Sequence, residues 1–210
     1  MSKAVNKLAL GVVILGAGAS ARMGRPKLLL PWGRTSVIGH LLAQWRALEA
    51  RQIAVVCRPA DGALAAELRR LGFPPRHRIV NPEPERGMFS SIVCAANWKG
   101  WDKGLGAWVI ALGDQPHLRP ATLRALLAFH RRHPDAISQP AFGGRRFHPV
   151  VLPPAAFAGL RRSGARTLKE FLRQTDLPSF ECPTDDAGLA LDLDAPADYQ
   201  NLSPRTGTKI

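Results

Sequence analysis

The chain has 210 residues, enough for one domain with a core of useful size. Apolar residues make up 46% of it, the proportion of a globular chain, and no apolar run approaches the length of a membrane-spanning helix. The formal net charge is +13, from 29 Lys and Arg against 16 Asp and Glu. That balance points to an anionic ligand on a background rich in Arg. No run of like charges exceeds a pair and no aromatic residues alternate with basic ones, which argues against nucleic acid as the partner. Three cysteines, Cys57, Cys94 and Cys182, lie far apart without C-x-x-C spacing; they fit a reducing, cytoplasmic setting and do not suggest structural zinc.

In chain order, Lys3 and Lys7 precede an apolar stretch from Leu8 to Leu15, and Ala19-Ser20-Ala21 resembles a signal-peptidase site. Cleavage there would remove a strand and half of the loop that follows, so secretion is set aside. Val12 to Leu15 has the composition of a buried strand. Gly16, Gly18 and Gly24 come next, with Ala17, Ser20 and other small residues between them, and Arg22, Arg25 and Lys27 add charge. Small residues let backbone N–H groups approach a ligand, so a cationic glycine-rich loop leaving a strand is a phosphate site. It is not a Walker loop, because Gly24 is followed by Arg25-Pro26 instead of Lys and Ser or Thr. Gly16-x-Gly18-x-x-Ala21 also fits a loose dinucleotide fingerprint and hence an NAD(P)-binding oxidoreductase. The second strand, Ile53 to Cys57, ends in Arg58-Pro59 with no carboxylate until Asp61.

Ser36 or Thr35 caps a helix with Val37, Ile38, Leu41, Leu42, Trp45 and Leu48 on its apolar face. Ala60 to Leu71 is a second helix, Arg78 to Asn81 a third strand, and Gly87 opens a helix through Trp98. Gly106 to Leu112 is apolar throughout, as at the centre of a parallel sheet, and runs into Gly113-Asp114-Gln115-Pro116. An Asp at the carboxyl end of such a strand can reach a metal bound to substrate phosphates. Thr122 to Arg131 is a helix whose His130-x-x-His133 pair reads as solvated. Ile137 to Pro140 and Phe147 to Leu152 read as strands about the Gly143-Gly144 turn. Gly164 to Leu168 begins another helix, with Arg166 unfavourably placed for the helix dipole. Asp192 and Asp194, two apart, would share one face of a strand, or Asp194 would cap the following helix. The residues to 202 read as a single domain, and 203–210 as a disordered tail.

Leu15-x-Ala17-Gly18-x-Ser20-x-Arg22-Met23-Gly24-x-x-Lys27-Leu28-Leu29-Leu30-Pro31 resembles the signature of nucleotidyltransferases, and most of all that of the molybdenum cofactor cytidylyltransferases among the MobA-like enzymes. Four later stretches fit the same family: Gly87-Met88-x-Ser90-Ser91-Ile92, Gly113-Asp114-Gln115-Pro116, His148-Pro149-Val150 and Leu191 to Tyr199. Phe147 and Ala195 depart from it, where relatives carry a small residue and Thr. The resemblance implies a three-layer α/β/α sandwich, Rossmann-like, with a mostly parallel sheet. It implies transfer of CMP from CTP, or GMP from GTP, to a molybdopterin-type acceptor with release of pyrophosphate. It implies nucleotide binding by Leu15, Gly16, Ala17, Gly18, Ser20, Gly24, Gly87 and Ser91, with catalysis by Arg22, Lys27 and Asp114. Mg²⁺ would be held by Asp114 with Asp192 or Asp194, and the acceptor by His148 and Arg166. A molybdoenzyme or its maturation chaperone would be the protein partner, and a non-catalytic carrier would have no need of two metal carboxylates. Ala at position 17 is the residue of the cytidylyl branch; guanylyl relatives carry Gly there.

Overall fold

The computed structural model describes residues 8–204; the basic segment with Lys3 and Lys7 and the end of the tail, residues 205–210, lie outside the described residues. The chain opens with β1 (Leu10–Leu15), followed by two 3-10 turns, Ala21–Met23 and Lys27–Leu29. A small hairpin, β2 (Pro31–Trp32) and β3 (Thr35–Ser36), leads into α1 (Val37–Ala47). Then come β4 (Gln52–Cys57), α2 (Gly62–Arg70), β5 (Arg78–Val80), α3 (Met88–Asn97) and β6 (Ala107–Leu112). The second half holds α4 (Pro120–Arg132), β7 (Ile137–Phe142), β8 (Arg145–Arg146), β9 (Val150–Leu152), α5 (Pro154–Gly159), α6 (Leu168–Gln174), β10 (Ser179–Pro183) and α7 (Pro196–Leu202).

The main sheet runs β10-β7-β9-β6-β1-β4-β5, with β8 added to β7. Pairings through β6, β1, β4 and β5 are parallel, and β9 is inserted antiparallel between β6 and β7. Both faces of the central strands are covered, which is why their sequences read as unbroken apolar runs. Val12, Ile14, Val55 and Val109 pack with Leu41, Trp45, Leu68 and Leu123 from α1, α2 and α4. Val13, Val56 and Ile110 face the other way, onto Ile92, Phe157 and Phe171 from α3, α5 and α6. Strand period and helix packing thus give the expected three layers.

Register then sets the site. Leu15 is opposite Val56 on one side and Leu112 on the other, so β1, β4 and β6 end level. The two glycines just past those ends are tied in, Gly16 N–H donating to the Val56 carbonyl at 2.8 Å and Gly113 N–H to the Leu15 carbonyl at 3.1 Å.

Several expectations need correction. Residues 191–195 form no strand: they follow a 3-10 turn at Ala187–Ala190 as irregular chain. Asp194 does not cap α7 either. Ala195 is the N-cap residue, and the Asp198 carboxylate accepts from the N–H groups of Ala195 (2.7 Å) and Asp194 (3.0 Å). His130 is not solvated; it is fully buried, its Nδ1 lies 3.1 Å from the Ser138 hydroxyl, and burial pushes its pKa down to about 4. β2, β3 and β10 add strands that the sequence reading missed. The strand after the Gly143-Gly144 turn is split, with Phe147 to Pro149 linking β8 and β9. The expected cap at Ser36 is present, accepting from Gly39 N–H at 3.2 Å.

Candidate functional site

A cleft of about 490 Å³ opens at the carboxyl ends of β1 and β6. Leu15, Ala17 and Gly18 line it from the first loop. Gly113, Asp114, Asp192 and Asp194 form the side beyond β6, and Gly87, Met88 and Ser91 bring the start of α3 to it. A narrower groove of about 90 Å³ continues along the glycine loop past Gly16, Ser20, Pro26 and Lys27. Leu15, Gly18, Gly113 and Asp114 line both spaces, so loop and carboxylates belong to one site.

Gly16 and Gly18 differ in what they accommodate. A Cβ on Gly16 would lie 2.8 Å from Leu28 Cδ1 and 3.1 Å from the Val56 carbonyl oxygen, so this glycine lets β1 and β4 close up. A Cβ on Gly18 would meet nothing within 4 Å; the space beside it is open to a ligand. Ser20 has a positive φ of 51°, uncommon for a residue with a side chain, and its hydroxyl accepts from Lys27 N–H at 3.2 Å, closing the loop on itself. Gly24 turns the chain back at φ 69°.

The Lys27 ammonium sits at the junction. It donates to Asp194 Oδ1 at 2.6 Å and lies 3.5 Å from Asp114 Oδ2, with its side chain only 15% exposed. Arg22 Nη2 donates to the other Asp194 oxygen at 2.6 Å. The hydrogen bond from Lys27 is the main cause that holds the Asp194 carboxyl below its ordinary pKa. Asp114 moves the other way. Burial, then the neighbouring Asp192 charge, raise its pKa against the pull of Lys27. Asp192 itself accepts from Gln115 Nε2 at 2.9 Å.

The segment that carries Asp192 and Asp194 has no sheet to hold it. It is fastened instead to the residues after β6. Leu193 N–H donates to the Asp114 carbonyl at 3.0 Å, and His117 Nε2 is 2.9 Å from the Gly188 carbonyl. Buried Asp186 accepts from Thr122 Oγ1 at 2.6 Å and from Arg119 N–H at 3.3 Å. None of these fastenings was legible beforehand: Gln115 lay inside a recognised motif without a role, and Asp186 gave no signal in the sequence.

His148 and Arg166 do not line this cleft. Arg166 borders a second cavity, about 620 Å³, with Asn81, Glu83, Arg86, Phe89 and Ser90. His148 lies between β8 and β9, half-buried, and burial alone pushes its pKa down to about 4. The bond from His148 to Pro149 is cis. Asp61 borders the narrower groove and caps α2, its Oδ1 accepting from Leu64 N–H at 3.0 Å. Among the described residues no helix is long and apolar enough to cross a membrane.

The sequence profile of the MobA-like NTP transferase domain matches residues 12–179. The chain is 32% identical over 139 residues to the molybdenum cofactor guanylyltransferase of Mesorhizobium japonicum, a match covering 66% of this chain and 63% of that one. It is also 32% identical over 130 residues to the bifunctional protein GlmU of Pseudarthrobacter chlorophenolicus, covering 60% of this chain but only 26% of that longer protein. Among solved structures, Rv0371c from Mycobacterium tuberculosis H37Rv aligns with a TM-score of 0.76 at 28% identity, over 93% of this chain and 97% of that one. The same protein in complex with manganese aligns at 0.71 and 26% identity, over 93% of this chain and 98% of that one.

Proposed function

From a chain that belongs to the MobA-like NTP transferase family, and is thus a nucleotidyltransferase, we propose a cytidylyltransferase that moves CMP from CTP onto the terminal phosphate of a molybdopterin-type acceptor. The observation that carries the transfer chemistry is Lys27, held between Asp194 and Asp114 where the glycine loop meets the cleft. An acceptor phosphate is already mostly dianionic at neutral pH, so no general base is needed. Its oxygen attacks the α-phosphorus, the bond to the bridging oxygen of the β-phosphate breaks, and pyrophosphate leaves. The obstacle is repulsion between anions, so positioning and charge neutralisation dominate. In this reading Gly18, Ser20 and Gly24 offer backbone N–H groups to the β- and γ-phosphates together with Arg22, while Gly16, whose N–H is bonded to the Val56 carbonyl, lets the loop leave β1 close against β4. Lys27 serves the α-phosphate and the incoming oxygen. Leu15, Ala17, Gly87 and Ser91 border the nucleoside; His148 and Arg166, outside the cleft, would serve only the part of the acceptor remote from its phosphate.

The donor set suits a hard divalent cation. No group of three or more His, Cys, Asp or Glu gathers among the described residues to hold a metal alone. Asp114 and Asp192 supply two carboxylates at one cleft, and Mg²⁺ commonly takes one or two carboxylates with substrate phosphates and water making up the rest. Bound there, it would neutralise phosphate charge.

The base assignment rests on Ala17, buried in the cleft wall, whose Cβ narrows the space beside the base and suits a pyrimidine. A second reading, transfer of GMP, is favoured by the guanylyltransferase relative. The test is kcat/KM for CTP and for GTP with the same molybdopterin-type acceptor and Mg²⁺. CTP is expected to win, and Ala17→Gly to narrow the gap by roughly 10-fold or more, the worth of a methylene-sized change in a pocket. A GTP value equal to or above that for CTP refutes the cytidylyl reading.

A further inference from the structure

We propose that Gln115 is a positioning residue that presents the Asp192 carboxylate to the divalent cation, an inference that rests on the reading of Asp192 as a metal ligand. Gln115 is 4% exposed, and its Nε2 faces three oxygens: Asp192 Oδ1 at 2.9 Å and the Leu189 and Leu191 carbonyls, each at 3.5 Å. Turning the amide over would set Oε1 against the same three oxygens, so the orientation is fixed by its surroundings. The consequence is an Oε1 that is buried with no hydrogen-bond partner among the described residues. A buried acceptor left unpaired is expensive, and an apolar side chain of the same length would avoid that cost. What a glutamine supplies in return is a donor for Asp192.

Asp192 needs one. It is exposed, on irregular chain, and Gln115 is the sole hydrogen-bond partner of its carboxylate among the described residues. The contrast with Asp194 is direct, since both of that residue's oxygens are bound by Lys27 and Arg22. Gln115 takes one oxygen of Asp192 without adding charge, which orients the group and leaves its other oxygen unpartnered. The adjacent residue is Asp114, so one dipeptide at the end of β6 supplies the first carboxylate and aims the second. Carboxylates that ligate metals are themselves held by hydrogen bonds of this kind, and losing such a partner typically weakens metal binding 10–100-fold.

The experiment titrates Mn²⁺ into the full-length protein with CTP present and follows the free-ion signal by electron paramagnetic resonance. Three proteins are compared: wild type, Gln115→Met and Thr122→Val. Thr122→Val loosens the same segment at another of its fastenings, where Thr122 donates to Asp186. Gln115→Met is expected to bind Mn²⁺ roughly 10–100-fold more weakly, with unchanged circular dichroism and unchanged CTP affinity in the absence of metal. Thr122→Val is expected to melt at a lower temperature yet hold Mn²⁺ as wild type does. Wild-type Mn²⁺ binding by Gln115→Met overturns the inference and spares the metal reading, and so does an equal loss in Thr122→Val, which would reduce Gln115 to one fastening among several. A wild-type protein that takes no Mn²⁺ with CTP overturns both.

Discussion

Lys27→Ala removes the cation that bridges Asp194 and Asp114, and the structure separates what that costs the fold from what it costs the reaction. Asp194 keeps Arg22 at 2.6 Å after the substitution, and its side chain is 31% exposed, so it is left neither unpaired nor fully desolvated. Asp114 loses a partner at 3.5 Å, at the outer edge of an ion pair, on a side chain 29% exposed. The loss of 3–5 kcal/mol seen when a buried pair is broken therefore does not apply; about 1 kcal/mol does, the upper end for exposed pairs. In a chain of this size that is roughly 2–4 °C in melting temperature. In the transition state Lys27 faces charge developing at the α-phosphorus. Removing one preorganised donor of that kind costs about 2.7–4 kcal/mol, or roughly 10²–10³ in turnover. Triphosphate affinity should change far less, because the resting lysine already spends its charge on two carboxylates and binding exchanges one anion for another. The assay is pyrophosphate release at saturating CTP, acceptor and Mg²⁺, alongside equilibrium CTP binding and a melting curve. Turnover within tenfold of wild type would remove Lys27 from the mechanism. A loss of activity matched by a collapse in melting temperature would make its role structural.

Asp114→Asn is expected to abolish metal-dependent turnover while raising the melting temperature at pH 7. The sign follows from the raised pKa: the folded site disfavours the ionised carboxylate, so this group draws stability down as pH rises above its unfolded value of about 3.9, and the gain from Asn should fade below that pH. A variant destabilised at pH 7 would refute this account of the site's charge. The glycines at positions 18 and 113 should separate fold from ligand. Gly113→Ala sets a Cβ 2.6 Å from the Leu15 carbonyl oxygen and should cost about 1–3 kcal/mol of stability. Gly18→Ala, with open space around its Cβ, should melt like wild type and bind CTP less well; the opposite pattern in melting and binding curves would refute the assignment.

What could be read from the sequence was what is settled locally. β1, β4 and β6 are apolar on both faces, and α1 carries its own cap at Ser36, so neither needs a distant residue to identify it. Leu191 to Asp194 failed for the opposite reason. Alternating Leu and Asp is the pattern of a half-buried strand, and Leu193 is indeed buried while Leu191 is 46% exposed. No neighbouring strand pairs with it, and the segment is held instead by the Asp114 carbonyl and the Gln115 side chain, which no local pattern encodes. β10 escaped notice because an edge strand packs on one side only: Phe180 is exposed and Cys182 alone of its five residues is buried. His130 looked solvated because its partner, Ser138, lies on the next strand.

The charges of the site close the argument. Asp114, Asp192 and Asp194 stand against Lys27 and Arg22, three negative groups and two positive, a balance of −1. Both cations are committed to Asp194, and Lys27 reaches Asp114 only at 3.5 Å. The surplus falls on the pair Asp114 and Asp192, where the Asp192 charge adds to burial, the larger cause, in raising the pKa of Asp114. A triphosphate entering this site alone would add negative charge where it is already uncompensated. A triphosphate entering with a divalent cation brings the missing positive charge to those two carboxylates, and its phosphates compete with Asp194 for Lys27 and Arg22. Substrate and metal are then expected to bind as a unit, each relieving the repulsion that the other alone would meet. Strain of this kind, tolerated in the resting fold and released on binding, is what charge clusters at functional sites commonly hold. Asp114→Asn removes both the surplus and the cost of burying the carboxylate, so its melting temperature reads the two together, apart from its turnover.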